Sequence, residues 1–200
     1  RNMSRSLYAK IIDALVEDGY IIIENALNPT FPQSLREFLR DERAFKKAGV
    51  SSYPHVRIDR KRRRDKTCWL EEDGAIMWDY LAFMAELQHN INRDLFMGLS
   101  YYENHLAIYD RGDFYETHYD AFKGFKNRVA TTVYYLNKGY KEGEDGGELI
   151  IYDENNNMIQ KVFPHANTLV VFLSDKFPHE VLPAKKKRYS IAGWFRVDKF

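Results

Sequence analysis

The feature that most constrains this chain is a change of rhythm near residue 101. Beyond it, short apolar or aromatic runs alternate with chain breakers: Arg111-Gly112-Asp113, Gly143 to Gly147, Asn155-Asn156-Asn157 and Pro183. Short runs bounded by close turns predict strands near 105–110, 114–119, 128–136, 147–153, 157–163, 167–173, 179–182 and 188–197. Eight such strands fit a jelly roll, the double-stranded β-helix. Leu169-Val170-Val171-Phe172-Leu173 is apolar without a break, the pattern of a buried strand.

The first hundred residues read differently. Residues 6–18 place Leu7, Ile11, Ile12, Leu15 and Val16 at the 3.6-residue period of an amphipathic helix, with Ser4 or Ser6 as cap and Gly19 as its stop. Tyr20–Ile23 is a β-branched run and predicts a strand. Residues 30–47 carry Leu35, Phe38, Leu39 and Phe45 on one side of a second helix. Residues 48–74 hold no steady period and contain the basic run Arg60-Lys61-Arg62-Arg63-Arg64. A third helix is predicted over Ala75–Leu95, through Ile76, Tyr80, Phe83, Met84, Leu87 and Ile91, with Gly98 past its end. No linker, repeat or low-complexity segment separates the halves. The expectation is an α+β fold: a jelly roll with N-terminal helices packed on one sheet. It forms a single domain over 1–200, with 1–100 mainly helical support and 101–200 the jelly-roll core.

The 200-residue length suffices for a real core, and an apolar fraction of 44% excludes a disordered chain. A net charge of +1 gives no whole-molecule field to attract nucleic acid. Cys68 is the only cysteine, so neither an internal disulfide nor a cysteine zinc cluster is expected. No apolar run approaches bilayer length, and Asp13, Glu17 and Asp18 interrupt the first apolar pattern, unlike a signal peptide. A cytoplasmic location is expected.

The chemistry-bearing residues lie in the stranded half. His118 and Asp120, two residues apart at a predicted strand end, project to the same face and can grip one metal. His179, in Phe177-Pro178-His179-Glu180-Val181, supplies a second imidazole from another predicted strand start. Two imidazoles and a carboxylate on one face of an octahedron suit non-haem Fe(II), although zinc accepts the same ligands. Arg188, on the next predicted strand, narrows the choice. A guanidinium in that cavity needs a carboxylate partner, and its planar fork can bind one through two hydrogen bonds. The distal carboxylate of 2-oxoglutarate is such a partner, and Ser190 on the same face can add a hydroxyl contact.

Several stretches carry a family resemblance: His118-Tyr119-Asp120, Tyr134-Tyr135-Leu136-Asn137-Lys138, Gly146-Gly147-Glu148-Leu149, Pro178-His179-Glu180-Val181 and Arg188 to Trp194, with a weaker match at Asp65-Lys66-Thr67-Cys68-Trp69. Over roughly residues 60–198 the chain resembles the prolyl 4-hydroxylase-like 2-oxoglutarate oxygenases, in particular the hypoxia-factor prolyl hydroxylase branch and its bacterial relatives. The resemblance implies Fe(II) on His118, Asp120 and His179, with 2-oxoglutarate and O2 as cosubstrates and ascorbate as an ancillary reductant. It implies that Arg188 and Tyr135 hold the far carboxylate of 2-oxoglutarate, that Tyr109 lines the pocket near the metal, and that Arg128 and Trp194 stand near a substrate prolyl segment. Between Tyr109 and His118 the chain is one residue shorter than the family pattern. Ala192 replaces a hydroxyl-bearing residue of the hypoxia branch. The implied reaction hydroxylates a proline in a partner protein, a transcription or translation factor, and forms succinate and CO2.

Plainer readings accompany these. Strand alternation puts Tyr134 and Tyr135 on opposite faces, and only the resemblance selects Tyr135. Trp194 serves packing as well as it serves a pocket wall, and Arg128 fits a surface charge. His55, His89, His105 and His165 have no partner at a useful spacing and are structural. The run Arg60–Arg64 is a solvated loop that could meet nucleic acid or an acidic partner; the resemblance favours a loop covering the substrate. Lys185-Lys186-Lys187 is an exposed turn. Competing functions are the same chemistry on a free amino acid, another side chain or a nucleobase, a jelly-roll binding module without catalysis, and a zinc hydrolase. The intact ligand set with Arg188 speaks against the module. The hydrolase lacks a paired general base and leaves Arg188 without a role.

Overall fold

Helix α1 (Leu7–Glu17) starts at its cap: the Ser6 hydroxyl accepts a hydrogen bond from the Ala9 amide at 3.2 Å, which satisfies one free donor of the first turn. It stops at Gly19, where φ is +82° and an added Cβ would press on the Phe177 ring at 3.0 Å. The computed structural model describes residues 6–40, 66–69, 77–121 and 127–198. After α1 come β1 (Tyr20–Ile23), α2 (Phe31–Arg40), β2 (Lys66–Trp69) and α3 (Trp78–Leu95). The stranded half follows as β3 (Tyr101–Tyr109), β4 (Tyr115–His118), β5 (Arg128–Tyr135), β6 (Leu149–Tyr152), β7 (Met158–Val162), β8 (Leu169–Leu173), β9 (His179–Val181) and β10 (Arg188–Arg196).

The strands form two antiparallel sheets, β1-β8-β5-β10-β3-β2 and β4-β9-β6-β7, the two layers of a jelly roll. All eight strands expected beyond residue 101 are present, and so is β1. β2 falls within the stretch that shows no period. It pairs with β3 from Lys66↔Ile108 to Trp69↔His105, so the neighbouring edge sets it and not a pattern of its own. β3 begins at Tyr101, ahead of the expected 105, because its ladder with β10 runs on to Arg196↔Tyr101. Residues 41–47, His55, the run Arg60–Arg64, Asp65, Ala75 and Ile76 lie outside the described residues.

The large sheet is buried on both faces, which explains the unbroken apolar run of β8. Leu169, Val171 and Leu173 turn toward the helices and join Ile11, Leu15, Leu35, Met84, Leu87 and Ile91. Val170 and Phe172 turn the other way, against Leu149, Ile151 and Val181 of the small sheet. Each such side chain contributes about 1.5–3 kcal/mol when fully buried. On β10 the same alternation sends Ile191 and Phe195 to the helices. Arg188, Ser190, Ala192 and Trp194 face the small sheet. A buried polar stripe inside an apolar sandwich is costly unless it is satisfied, and it marks the site.

Candidate metal centre

Strand pairing brings the two imidazoles together. His118 ends β4, His179 begins β9, and the two are register partners, with ring centroids 4.3 Å apart. Asp120 arrives by another route. It lies beyond the end of β4, in a bend, so strand alternation does not place it. Even so, its Oδ1 is 3.3 Å from His118 Nε2 and 3.1 Å from His179 Nε2. Among the described residues this is the one trio of His, Cys, Asp or Glu whose donor atoms converge, all within 4.8 Å of one another.

The surroundings fix which atoms face the centre. His118 Nδ1 is 2.7 Å from the Glu116 carbonyl oxygen, and His179 Nδ1 is 2.9 Å from that of Phe177. A carbonyl only accepts, so Nδ1 carries the proton in each neutral ring and Nε2 presents its lone pair. Tyr115 stacks on the His118 ring at 3.6 Å, and Phe172 packs edge-on to His179 at 4.9 Å. The second oxygen of Asp120, Oδ2, accepts from the Thr131 hydroxyl at 2.8 Å and from the Trp194 indole N–H at 3.1 Å.

The charges are coupled. Burial pushes the Asp120 carboxyl up, but His179 and His118 together outweigh it and hold the group well below the usual carboxylate range. Burial also disfavours the His179 imidazolium, yet the Asp120 carboxylate raises it above the ordinary histidine value. His118 goes the other way, lowered by burial and by the charge of His179. The donor set fits a divalent ion. Cis ligands of an octahedral metal with bonds of about 2.1 Å stand about 3 Å apart, close to the spacings of Asp120 Oδ1 from the two imidazoles.

Farther along the same face of β10 lies Arg188, buried beneath the small sheet. Its Nε donates to the Gly147 carbonyl at 2.8 Å, while its terminal nitrogens make only long contacts, 3.4 Å to Ser190 Oγ and 3.4 Å to the Tyr135 hydroxyl. The guanidinium lies 4.7 Å from the Tyr109 ring centroid and 5.0 Å from that of Tyr135. Burial pushes the Tyr135 phenol up, against the opposing pull of Arg188, so it stays protonated. No carboxylate stands within ion-pair distance of Arg188 among the described residues. A buried guanidinium without one is costly, so a ligand carboxylate fits the need.

Register explains the clustering. Arg188 is opposite Tyr109, Ser190 is opposite Tyr135, and Trp194 is opposite Thr131. Tyr134 faces the helices instead, where its hydroxyl donates to Asn167 at 2.7 Å. Trp194 is buried with its polar edge on Asp120, and the Arg128 guanidinium lies 3.9 Å above its ring. Arg128 also stands 3.6 Å from Glu103, which Arg196 meets at 2.6 Å. His105 packs 5.1 Å from Trp194, His165 pairs with Glu142 at 2.8 Å, and His89 is exposed on α3. Lys185–Lys187 form an exposed turn. Sequence reasoning missed Thr131, Gly147 and Ser174. Thr131 shares a strand face with Tyr135 and could have been found by alternation. Gly147 stood within the Gly146–Leu149 stretch, but its contact with Arg188 was not foreseen, and Ser174, outside the strands, carried no local signal.

Known proteins resemble this chain in sequence and fold. A family model described as the 2OG-Fe(II) oxygenase superfamily matches residues 104–196. Human prolyl hydroxylase EGLN3 is 30% identical over 207 residues, covering 92% of this chain and 81% of EGLN3. The chain belongs to the 2OG-Fe(II) oxygenases, among the prolyl hydroxylases. A Pseudomonas putida prolyl-4-hydroxylase structure superposes with a TM-score of 0.83 and 33% identity, covering 96% of this chain and 100% of that one. A Trichoplax adhaerens prolyl hydroxylase, solved with a hypoxia inducible factor peptide fragment, gives 0.79 and 28%, covering 95% and 89%. The hypoxia-inducible factor prolyl hydroxylase of Caenorhabditis elegans is 39% identical over 96 residues, 47% of this chain but 13% of that longer protein. Enzymes of this family use Fe(II), 2-oxoglutarate and O2, and the donor set and buried guanidinium suit that chemistry. No described helix is long and apolar enough to cross a membrane.

Proposed function

We propose that this oxygenase hydroxylates a prolyl residue in a partner protein, consuming 2-oxoglutarate and O2 and forming succinate and CO2. The observation that carries the reading is that the convergent His118, Asp120 and His179 donors and the buried Arg188 fork lie on the same side of the large sheet, Arg188 sharing a face of β10 with Trp194, which bonds Asp120. The prolyl specificity draws support from the likeness to prolyl hydroxylases along most of the chain. Residues 1–200 act as one catalytic domain, with residues 1–100 supporting the jelly-roll core. The partner class is a transcription or translation factor with an accessible proline, met in the cytoplasm.

In this reading His118 Nε2, His179 Nε2 and Asp120 Oδ1 hold Fe(II). When bound, the iron supplies the O2 activation that couples decarboxylation of the keto acid to insertion of one oxygen into a C–H bond. The other oxygen leaves in succinate, so atoms balance. Arg188 grips the distal carboxylate of 2-oxoglutarate, with Ser190 and the protonated Tyr135 phenol as neutral donors and Tyr109 as a wall. Phe172, packed on the His179 ring, and the buried Leu149 and Val181 keep water from the space between the sheets, which strengthens each polar contact there. In the same reading Arg128, stacked on the Trp194 ring, and Trp194 are the residues assigned to the substrate prolyl segment.

The test incubates the full chain with Fe(II), 2-oxoglutarate, ascorbate and native cell extract, with His118→Ala as control. Succinate release and a gain of about 16 Da on a proline are expected, because the iron centre transfers one oxygen atom. Oxygen found on a different residue, a free amino acid or a nucleobase would replace the prolyl assignment and keep the oxygenase.

A further inference from the structure

Asp120 lies outside the sheet, yet its carboxylate is aimed as firmly as the imidazoles that strand pairing places. We infer that two buried hydroxyls, Thr131 and Ser174, together with the Trp194 indole, position Asp120 so that it offers a single oxygen to the metal. The inference rests on the oxygenase reading of the site.

The hydrogen bonds have one consistent direction. Thr131 has one hydroxyl proton, and it is given to Asp120 Oδ2 at 2.8 Å. The 2.8 Å contact between Thr131 and Ser174 therefore runs from Ser174, as donor, to the Thr131 oxygen. Ser174 follows the end of β8 and is fully buried. Its amide donates to the Val129 carbonyl at 3.0 Å, which ties it to β5 beside Thr131. Its own carbonyl accepts from the Ala121 amide at 3.1 Å, which ties down the residue next to Asp120. Ser174 thus holds the bend twice, once through the backbone after Asp120 and once through the hydroxyl relay onto its side chain.

Trp194 completes the cradle. It is Thr131's partner across the β10–β5 ladder, so both side chains reach the same carboxylate oxygen from one face of the large sheet. With two donors on Oδ2, the carboxylate plane is fixed and Oδ1 alone faces the imidazole nitrogens. One oxygen and two nitrogens leave an octahedral ion half of its positions for exogenous ligands, as a chelating keto acid and O2 require. Partners of this kind set ligand orientation and basicity in metal sites, and their loss typically costs about 10–100-fold in metal affinity.

The test uses Co(II) as an air-stable probe, titrated into the full metal-free chain and read by affinity and visible spectrum. Thr131→Val removes the donor at nearly constant volume, whereas Thr131→Ser keeps it. Thr131→Val should bind Co(II) about 10–100-fold more weakly, with a changed spectrum, while Thr131→Ser stays close to the wild type. Ser174→Ala leaves the Thr131 donor unsupported and should show a smaller loss in the same direction. It also carries the test should Thr131→Val not fold. A wild-type affinity and spectrum in Thr131→Val, or in Ser174→Ala where that variant stands in, would overturn the inference. So would a Thr131→Ser as weak as Thr131→Val. A wild type that does not bind Co(II) at all would instead overturn the oxygenase reading beneath it.

Discussion

The Gly147 carbonyl accepts the Nε–H of Arg188 at 2.8 Å from a position where any side chain would strike that same arginine. A Cβ on Gly147 would come within 2.7 Å of Arg188 Cδ, and its φ of +67° is one that L residues rarely adopt. Gly147→Ala should therefore push the guanidinium out of place. The expected result is a 2-oxoglutarate affinity at least about tenfold lower, with Co(II) affinity retained and about 1–3 kcal/mol lost from the fold. Calorimetric titration of 2-oxoglutarate and denaturant unfolding measure the two effects. Unchanged cosubstrate affinity would show that Arg188 does not depend on this contact.

Tyr134 and Tyr135 are chain neighbours with opposite duties. Tyr135→Phe removes a hydroxyl beside Arg188 and should weaken 2-oxoglutarate by several-fold, the value of about 1 kcal/mol for one hydrogen bond. Tyr134→Phe removes the bond to Asn167, whose side chain also bonds the backbone of Leu27. It should lower stability by about 1 kcal/mol and leave cosubstrate binding intact. An exchange of these two phenotypes would reverse the assignment of the strand faces.

Removing one anchor of each ligand should separate the metal from the cosubstrate. His118→Ala should abolish Fe(II) binding and turnover. Arg188→Ala should retain the metal and lose 2-oxoglutarate affinity, since no other described cation takes the place of its fork. Metal content of the purified variants and 2-oxoglutarate titration in the presence of Mn(II) distinguish them. Loss of metal in Arg188→Ala would mean that the two ends of the cavity are not independent.

Metal binding should weaken as pH falls. In the metal-free site the Asp120 carboxylate raises the His179 imidazolium above its ordinary value of 6.5, while burial lowers His118. A metal therefore competes with a proton on His179 up to a higher pH than at an ordinary histidine, and with one on His118 only at lower pH. The affinity should drop by up to about tenfold per pH unit below the raised His179 value and level off above it, because each displaced proton adds one unit of slope. Co(II) titrations across the neutral range, in two buffers of different ionisation enthalpy, count the protons. An affinity independent of pH from the neutral range down through the ordinary histidine value would contradict a raised His179.

Much of the fold was legible because periodicity is local. The break near residue 101, the strands beyond it and the cap at Ser6 are written in neighbouring residues. The strand β2 was not, because Lys66–Trp69 takes its form from the β3 edge. His118, His179 and Arg188 were legible because strand starts and ends expose side chains of recognisable chemistry. Asp120 was found for an incomplete reason: alternation put it beside His118, but in the structure it sits in a bend beyond the strand. Trp194 fits packing and a pocket wall equally in the sequence, and only the structure shows its indole N–H donating to the Asp120 carboxylate.

The sequence by itself determined the element types apart from β2, the buried character of β8, and which residues could bind a metal and a keto acid. Each depends on side-chain chemistry and short-range spacing. Only the tertiary structure decided what surrounds those residues. The pairing of β4 with β9 sets the two imidazoles together, the β10–β5 register brings Trp194 to Thr131, and the turn after β8 delivers Ser174 to the back of Asp120. The physical reason is separation along the chain. Hydrogen bonds between residues far apart in sequence are fixed by packing of the two sheets, and no local pattern encodes them.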